Sequence, residues 1–255
     1  MATQPQVESD MKQNEELPEP TTGSQLTTPN LSIEVDRDTF VYRRFGNTKR
    51  DTIAFVSALG LKSVDLLGYS LGGYIAQEMA LLQPRLVRRI VLAATAPRGG
   101  PRIHRWSDKV YSQAAADVPG VAHFLGLFFS GSEESRAKGM AYLGRISARK
   151  AEPDQQTDLA TRDAQLAAIT EWGIPDESRL NRLAGITQPT FVANGDNDEM
   201  MHTANSALLA ERLPNSQLRI YPDANHGFLY QYPELFADHV RTFLSDEGLL
   251  GTGDM

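Results

Sequence analysis

Val64-Asp65-Leu66-Leu67-Gly68-Tyr69-Ser70-Leu71-Gly72-Gly73 runs from an apolar stretch, through a serine set between glycines, into a helical period. Ser63–Leu67 predicts a buried strand. Gly73–Gln83 predicts a helix with Ile75, Met79 and Leu82 on one face and Pro84 as its stop. A serine on so sharp a strand-to-helix turn sits in a strained conformation. Gly68 and Gly72, two before and two after it, are expected where backbones pass too closely for side chains. The turn lifts the hydroxyl above the sheet and aims the helix N-terminus at any negative charge that forms there. The plain alternative is a glycine-rich turn with an incidental serine, but the strand before and helix after are the context a nucleophile needs. A phosphate loop is disfavoured, because no Gly-Lys-Ser/Thr follows and the glycines do not fit G-x-G-x-x-G.

Downstream, Arg89–Ala93 predicts the next buried strand. Strand signals return at Thr190–Ala193 and Gln217–Tyr221, with a helix over His202–Leu213 between them and another over Pro233–Leu244 after them. Upstream, Leu31–Val35 and Thr39–Phe45 predict two strands joined by Asp36-Arg37-Asp38. Asp51–Leu59 predicts a helix stopped by Gly60. Alternating strands and helices imply an α/β fold, a mostly parallel sheet with helices on both faces. Residues 101–187 break the alternation. They carry helical periods, such as Val121–Phe129 and Leu159–Trp172, broken at Pro119, Pro153 and Pro175. The block is too long for a loop and is expected to be an inserted helical cap. The chain therefore divides into a disordered tail (1–30), a first core part (31–100), the cap (101–187), a second core part (188–246) and a flexible tail (247–255).

Composition narrows the function classes. The 255 residues suffice for one large α/β domain with a sizeable core. A net charge of -7, with basic residues scattered rather than striped, argues against nucleic acid. The chain has no cysteine, which excludes a disulfide framework, a thiolate metal site and a cysteine nucleophile. No stretch is apolar enough to span a bilayer, and no basic-then-apolar leader is visible. The expectation is a cytoplasmic protein that acts on a small molecule, without metal or cofactor.

A serine hydroxyl is a poor nucleophile at neutral pH and needs a general base. His226, in Asp223-Ala224-Asn225-His226-Gly227-Phe228, follows the last strand and is the candidate. The base needs an acid to orient it. Asn194-Gly195-Asp196-Asn197-Asp198-Glu199 ends the strand Thr190–Ala193, so an acid there leaves the same carboxyl edge of the sheet. Asp198 is the choice; Asp196 and Glu199 are its rivals, and an acidic calcium-type turn is the alternative. His104, His123, His202 and His239 are expected to be packing or surface residues. Trp106, Phe124, Phe128, Phe129 and Trp172 would line an apolar pocket or simply fill the cap core.

The order serine, acid, histidine on Gly68–Gly73, Gly195–Asp198 and Asn225-His226-Gly227 resembles the α/β-hydrolases over roughly residues 50–245. The likeness is to their cap-bearing group of serine esterases, enol-lactonases and cofactor-free haloperoxidase-like enzymes. It implies a Ser70–His226–Asp198 triad, with the Leu71 N–H as one oxyanion donor. In that family, two more strands and a His-Gly loop precede the nucleophile strand. Here Phe45-Gly46-Asn47-Thr48 runs directly toward Asp51–Leu59, and the only His-Gly pair is His226-Gly227. The resemblance thus implies a missing second oxyanion donor and an unpaired edge on the nucleophile strand, open to self-association. Thr39–Phe45 could instead slide in beside it. A splice form or imperfect gene prediction, an inert binding protein and a working enzyme with a rearranged edge would each fit this gap.

Overall fold

The computed structural model describes residues 31–35, 38–42, 56, 59–151 and 157–245. The expected tails, the Asp36-Arg37 turn, the gap region after Phe45 and most of helix Asp51–Leu59 lie outside the described residues. Of that helix Val56 is described, and it is helical and fully buried.

Four strands form the main sheet: β3 (Val64–Tyr69), β4 (Val87–Ala93), β5 (Thr190–Gly195) and β6 (Ser216–Tyr221). They pair in the order β3-β4-β5-β6, parallel throughout. Parallel neighbours need crossovers, and α1 (Leu71–Leu82) and α7 (Ala204–Arg212) supply two of them. Alternate residues of the central strands feed two apolar layers. Ile90, Leu92 and Val192 face Ala76, Met79 and Leu209. Val91, Ala93 and Phe191 face Phe236 and Phe243 of α9 (Pro233–Leu244), which follows the short α8 (Phe228–Gln231). Every residue of β5 is buried, as expected of a strand covered on both faces.

Between β4 and β5 the chain is helical: α2 (Asp108–Ala114), α3 (Val121–Phe128), α4 (Glu133–Ser147), α5 (Leu159–Trp172), α6 (Glu177–Leu180) and a 3-10 turn (Asn181–Gly185). Ser107, Ser132, Asp158 and Asp176 each accept from a backbone N–H in the first turn of the helix they precede. Such caps satisfy donors that have no partner inside the helix.

Two expectations need correction. The buried face of α1 is not the Ile75–Met79–Leu82 stripe. Ile75 and Leu82 are 54% and 70% exposed, while Gly73, Tyr74, Ala76, Gln77, Met79 and Ala80 are buried. Gly73 lies against Thr95, and Ala76, Met79 and Ala80 pack in the core, so the helix turns this face and not the expected one to the sheet. The hairpin does not slide in either: β1 (Leu31–Val35) and β2 (Asp38–Tyr42) pair only with each other among the described residues. Among the described residues, β3 ends the main sheet. Leu67, beside Val91 in register, is 51% exposed because α9 covers β4 and β5 but not β3.

Candidate active site

Ser70 caps α1 with φ 54° and ψ -122°, a conformation that costs a non-glycine residue about 1–3 kcal/mol. The structure around it holds that strain. Its N–H donates to the Ala93 carbonyl (2.9 Å), and its own carbonyl accepts from Gly73 N (2.9 Å) and from the Thr95 hydroxyl (2.7 Å). A Cβ on Gly68 would stand 2.5 Å from the Gly72 carbonyl oxygen, so that glycine is required by contact with backbone. Gly72 is not: a Cβ there meets nothing within 4 Å. The second tight position is Gly73, whose Cβ would lie 2.4 Å from Thr95 Oγ1. Thr95 follows β4, and the helix can approach it only without a side chain at residue 73. Leu71 begins α1, so its N–H has no acceptor inside the helix and points from the serine turn.

The turn after β5 and the loop after β6 meet above Ser70. His226 Nε2 lies 2.9 Å from Ser70 Oγ, and His226 Nδ1 lies 2.8 Å from Asp198 Oδ2. Asp198 and His226 are 2% and 1% exposed. The other carboxylate oxygen, Oδ1, accepts from the backbone N–H groups of Met200 (2.8 Å) and Met201 (3.0 Å). These two donors and the imidazole give both oxygens of the buried carboxylate hydrogen-bond partners. The rivals serve elsewhere. Asp196 accepts from Asp223 N and Ala224 N (both 3.0 Å), so it ties the histidine loop to the acid turn. Glu199 faces solvent and pairs with Lys109 at 2.7 Å.

The histidine loop is anchored on its outer side by the helical block. Gly227 N donates to the Phe128 carbonyl (2.8 Å), and Asn225 Nδ2 donates to the Phe129 carbonyl (3.1 Å). The Ser130 and Ser132 hydroxyls both donate to the Asp223 carboxylate and hold its pKa below the ordinary aspartate value. Gln231 closes the set, donating to the Asp223 carbonyl (2.9 Å) and accepting from Ser135 Oγ (2.7 Å).

Three tyrosines near the histidine had no signal in the sequence, since positions 69, 142 and 230 share no period. Tyr69 donates from its hydroxyl to the His226 carbonyl (3.0 Å) and lies 5.1 Å from the imidazole, centroid to centroid. Burial, with Tyr230 and Asp198 adding to it, pushes the Tyr69 phenol well above its ordinary pKa, so it stays a neutral donor. Phe128 meets the same imidazole edge-on at 5.4 Å, and Tyr142 stacks on Tyr230 at 4.2 Å. Of the aromatics expected to line a pocket or fill the block, Phe124 stacks on Phe128 at 4.4 Å, while Trp172 is buried against Tyr74 at 4.4 Å. Trp106 and Phe129 line two separate surface cavities. Of the remaining histidines, His123 accepts from Gly120 N at the start of α3, and His239 lies 2.6 Å from the Tyr221 hydroxyl. His202 contacts Arg102 at 2.9 Å.

Gly195 is where the acid turn and the histidine loop cross. A Cβ there would stand 2.1 Å from the Ala224 carbonyl oxygen and 2.5 Å from that of Asn225. Both atoms are backbone, so neither can swing aside. Gly195→Ala is expected to cost about 2–3 kcal/mol, as overpacking does, and to lower the melting temperature by about 5–10 °C. Thermal denaturation checks this. An unchanged melting temperature would show that the crossing is looser than the described contacts.

The comparisons with known proteins agree with this architecture. The chain is 30% identical over 182 residues to a pimeloyl-[acyl-carrier protein] methyl ester esterase of Chromobacterium violaceum, covering 69% of this chain and 70% of that one. It is 30% identical over 217 residues to a poly(3-hydroxyalkanoate) depolymerase of Ectopseudomonas oleovorans, covering 80% and 69%. Among solved structures it superposes on an α/β-hydrolase fold protein from Chitinophaga pinensis with a TM-score of 0.80 at 33% identity, covering 87% of this chain and 98% of that one. Among the described residues, no helix is long and apolar enough to cross a membrane. The model of the alpha/beta hydrolase fold family matches residues 36–233, and the chain belongs to that family.

Proposed function

We propose that the chain is a serine hydrolase that cleaves a carboxylic ester, a lactone or a related acyl bond. The observation that carries the reading is the continuous relay Ser70 Oγ–His226–Asp198, at 2.9 Å and 2.8 Å, on a strained strand-to-helix turn. Ser70 Oγ attacks the carbonyl carbon while His226 Nε2 takes its proton. Asp198 keeps the proton on Nδ1, so that Nε2 can accept, and it stabilises the imidazolium that forms. The Leu71 N–H, at the positive end of α1, stabilises the oxyanion. His226 then returns the proton to the leaving alcohol. A water, deprotonated by the same nitrogen, releases the acid from the acyl-enzyme. Every proton moves through one nitrogen of one side chain, so the reading calls for no metal or cofactor. It takes a small-molecule substrate, with no nucleic acid or membrane partner, in the cytoplasm. Helices α2–α6 act as a cap over the site. Self-association along the β3 edge belongs to the same proposal, supported by the 51% exposure of Leu67.

A second reading has its own support. The sequence holds no His-Gly loop before β3, so Leu71 supplies the one oxyanion donor that can be assigned. Losing one of two donors lowers turnover by about 10²–10³. A protein with such a site could serve as an inert ligand-binding relative. Labelling with a fluorophosphonate probe separates the two. The hydrolase reading expects a single adduct, mapped by peptide mass spectrometry to the tryptic fragment with Ser70. Folded protein that takes no label there, with a sharp melting transition, supports the binding-protein reading instead.

A further inference from the structure

The helical block opens a groove of about 510 Å³ beside the acid turn, lined by Arg102, Arg105, Trp106, Ser107, Glu199 and His202. Its charge is unusual for a chain of net charge -7. Two guanidinium groups line it, and neither has a carboxylate partner among the described residues. The one lining carboxylate, Glu199, is already neutralised by Lys109 at 2.7 Å. Arg102 makes one contact, with His202 Nε2 at 2.9 Å. A guanidinium carries five N–H donors in a planar fork, so most of its capacity is left over.

The backbone supports the same end. Arg102 has φ 64°, a left-handed conformation that a residue with a long side chain rarely adopts. The loop is fastened on either side of it. Asn205 Nδ2 donates to the Pro101 carbonyl (3.0 Å), Ile103 is buried, and Trp106 Nε1 donates to the Met200 carbonyl (2.7 Å). Strain held by surrounding contacts marks positions where a side chain is being aimed.

The groove adjoins the acid turn. Glu199 and His202 flank the turn whose Met200 and Met201 N–H groups hold Asp198. Trp106 is a wall of the groove and packs on the same apolar cluster as Leu71, the cluster of Tyr74, Ile103, Trp172 and Met201. Leu71, next to Ser70, and Trp106, in the groove wall, thus pack on one apolar cluster, and Arg102 and Arg105 line the groove beside that wall.

We propose that this groove binds the anionic end of the substrate, so that the enzyme selects acyl esters carrying a distal carboxylate or phosphate. The proposal names the substrate class of the site and rests on the reading of Ser70 as nucleophile. The preference arises from charge-assisted hydrogen bonds to Arg102 and Arg105, weakened by solvent because the groove is open.

The test compares the mono-p-nitrophenyl ester of adipic acid with p-nitrophenyl hexanoate, which has no second charge. The expected result is a kcat/KM for the hemiester about tenfold above that for the neutral ester. The Arg102→Ala/Arg105→Ala double variant should bring the ratio to about one. The ratio divides out any general loss of activity or of folded protein. A ratio near one in the parent enzyme, or one that survives the double substitution, overturns the proposal and leaves the hydrolase reading intact.

A binding measurement covers the case in which neither ester is turned over. Ser70→Ala protein is titrated with monomethyl adipate and read by tryptophan fluorescence, since Trp106 lines the groove. Saturable quenching that weakens with salt and disappears when both arginines are replaced supports the anion site, even if the hydrolase reading has failed. Quenching that is absent, or that is indifferent to the arginines, overturns it. Inorganic phosphate as competitor tells the two anions apart. Displacement at comparable concentration supports a site for any oxyanion, and no displacement supports one for carboxylates.

Discussion

Ser70→Ala is expected to abolish turnover of a p-nitrophenyl ester, by on the order of 10⁶-fold where serine and histidine act as one unit, and to leave the melting temperature within about 4 °C. The magnitude follows from what the hydroxyl does. On the proposed reading it forms the covalent bond, and His226 Nε2, 2.9 Å away, takes its proton. Without Oγ the remaining groups bind and polarise a carbonyl but cannot split the reaction into two easier steps. The fold loses little. The contacts that hold residue 70 use its backbone: the N–H to Ala93, and the carbonyl to Gly73 and Thr95. Alanine keeps them all and accepts the same φ at similar cost. Rates measured with purified protein, above the hydroxide background, check the expectation. Turnover within tenfold of the parent would place the nucleophile elsewhere, whatever the distances around Ser70.

The serine turn was legible in the sequence because its backbone follows a rule of contact. A serine on a strained turn needs a strand before it, a helix after it, and glycine where backbones touch. Gly68 fits that rule, with the Gly72 carbonyl 2.5 Å from where its Cβ would be. The rule misplaced the second glycine by one residue, because the limiting contact is with Thr95, just past the end of β4, and not within the turn. No local pattern carries that information. The face of α1 was misread for a related reason. Periodicity favours the largest apolar residues, Ile75 and Leu82, whereas the contact of Gly73 with Thr95 turns the face with Ala76 and Ala80 to the sheet.

His226 was legible from order alone, and its surroundings were not. The tyrosines at 69, 142 and 230 converge only through the sheet and the helical block. The tie between Asp223 and the serines at 130 and 132 crosses more than ninety residues of chain. Such contacts are set by topology, and a linear pattern cannot report them. The edge position that β3 has among the described residues was one of two outcomes the sequence left open, since Thr39–Phe45 could have paired beside it.

Choosing among three carboxylates in Asp196-Asn197-Asp198-Glu199 was the least secure step from sequence, and it gives the second large prediction. Asp198→Asn is expected to lower kcat by about 10⁴-fold while the protein stays folded. The size comes from hydrogen-bond polarity. Asp198 Oδ1 accepts from Met200 N and Met201 N, and these two backbone donors hold one side of the group. An asparagine must present its carbonyl oxygen to them, since the amide NH₂ would oppose two N–H groups. The NH₂ is then forced toward His226 Nδ1, which must become an acceptor. In a neutral imidazole the proton moves to Nε2, the nitrogen facing Ser70 Oγ. The base is then occupied by the proton it should receive, although no distance has changed. Asp196→Asn is the matched control. Asp196 holds the backbone of the histidine loop and does not touch the imidazole, so an oxygen there keeps at least one of its two bonds. Its expected loss is under tenfold. Steady-state rates of the two variants beside their melting curves decide the assignment. An inactive Asp196→Asn beside an active Asp198→Asn would move the acid by two residues and overturn the relay as drawn. Equal, modest losses in both would show that His226 keeps its working tautomer without a carboxylate.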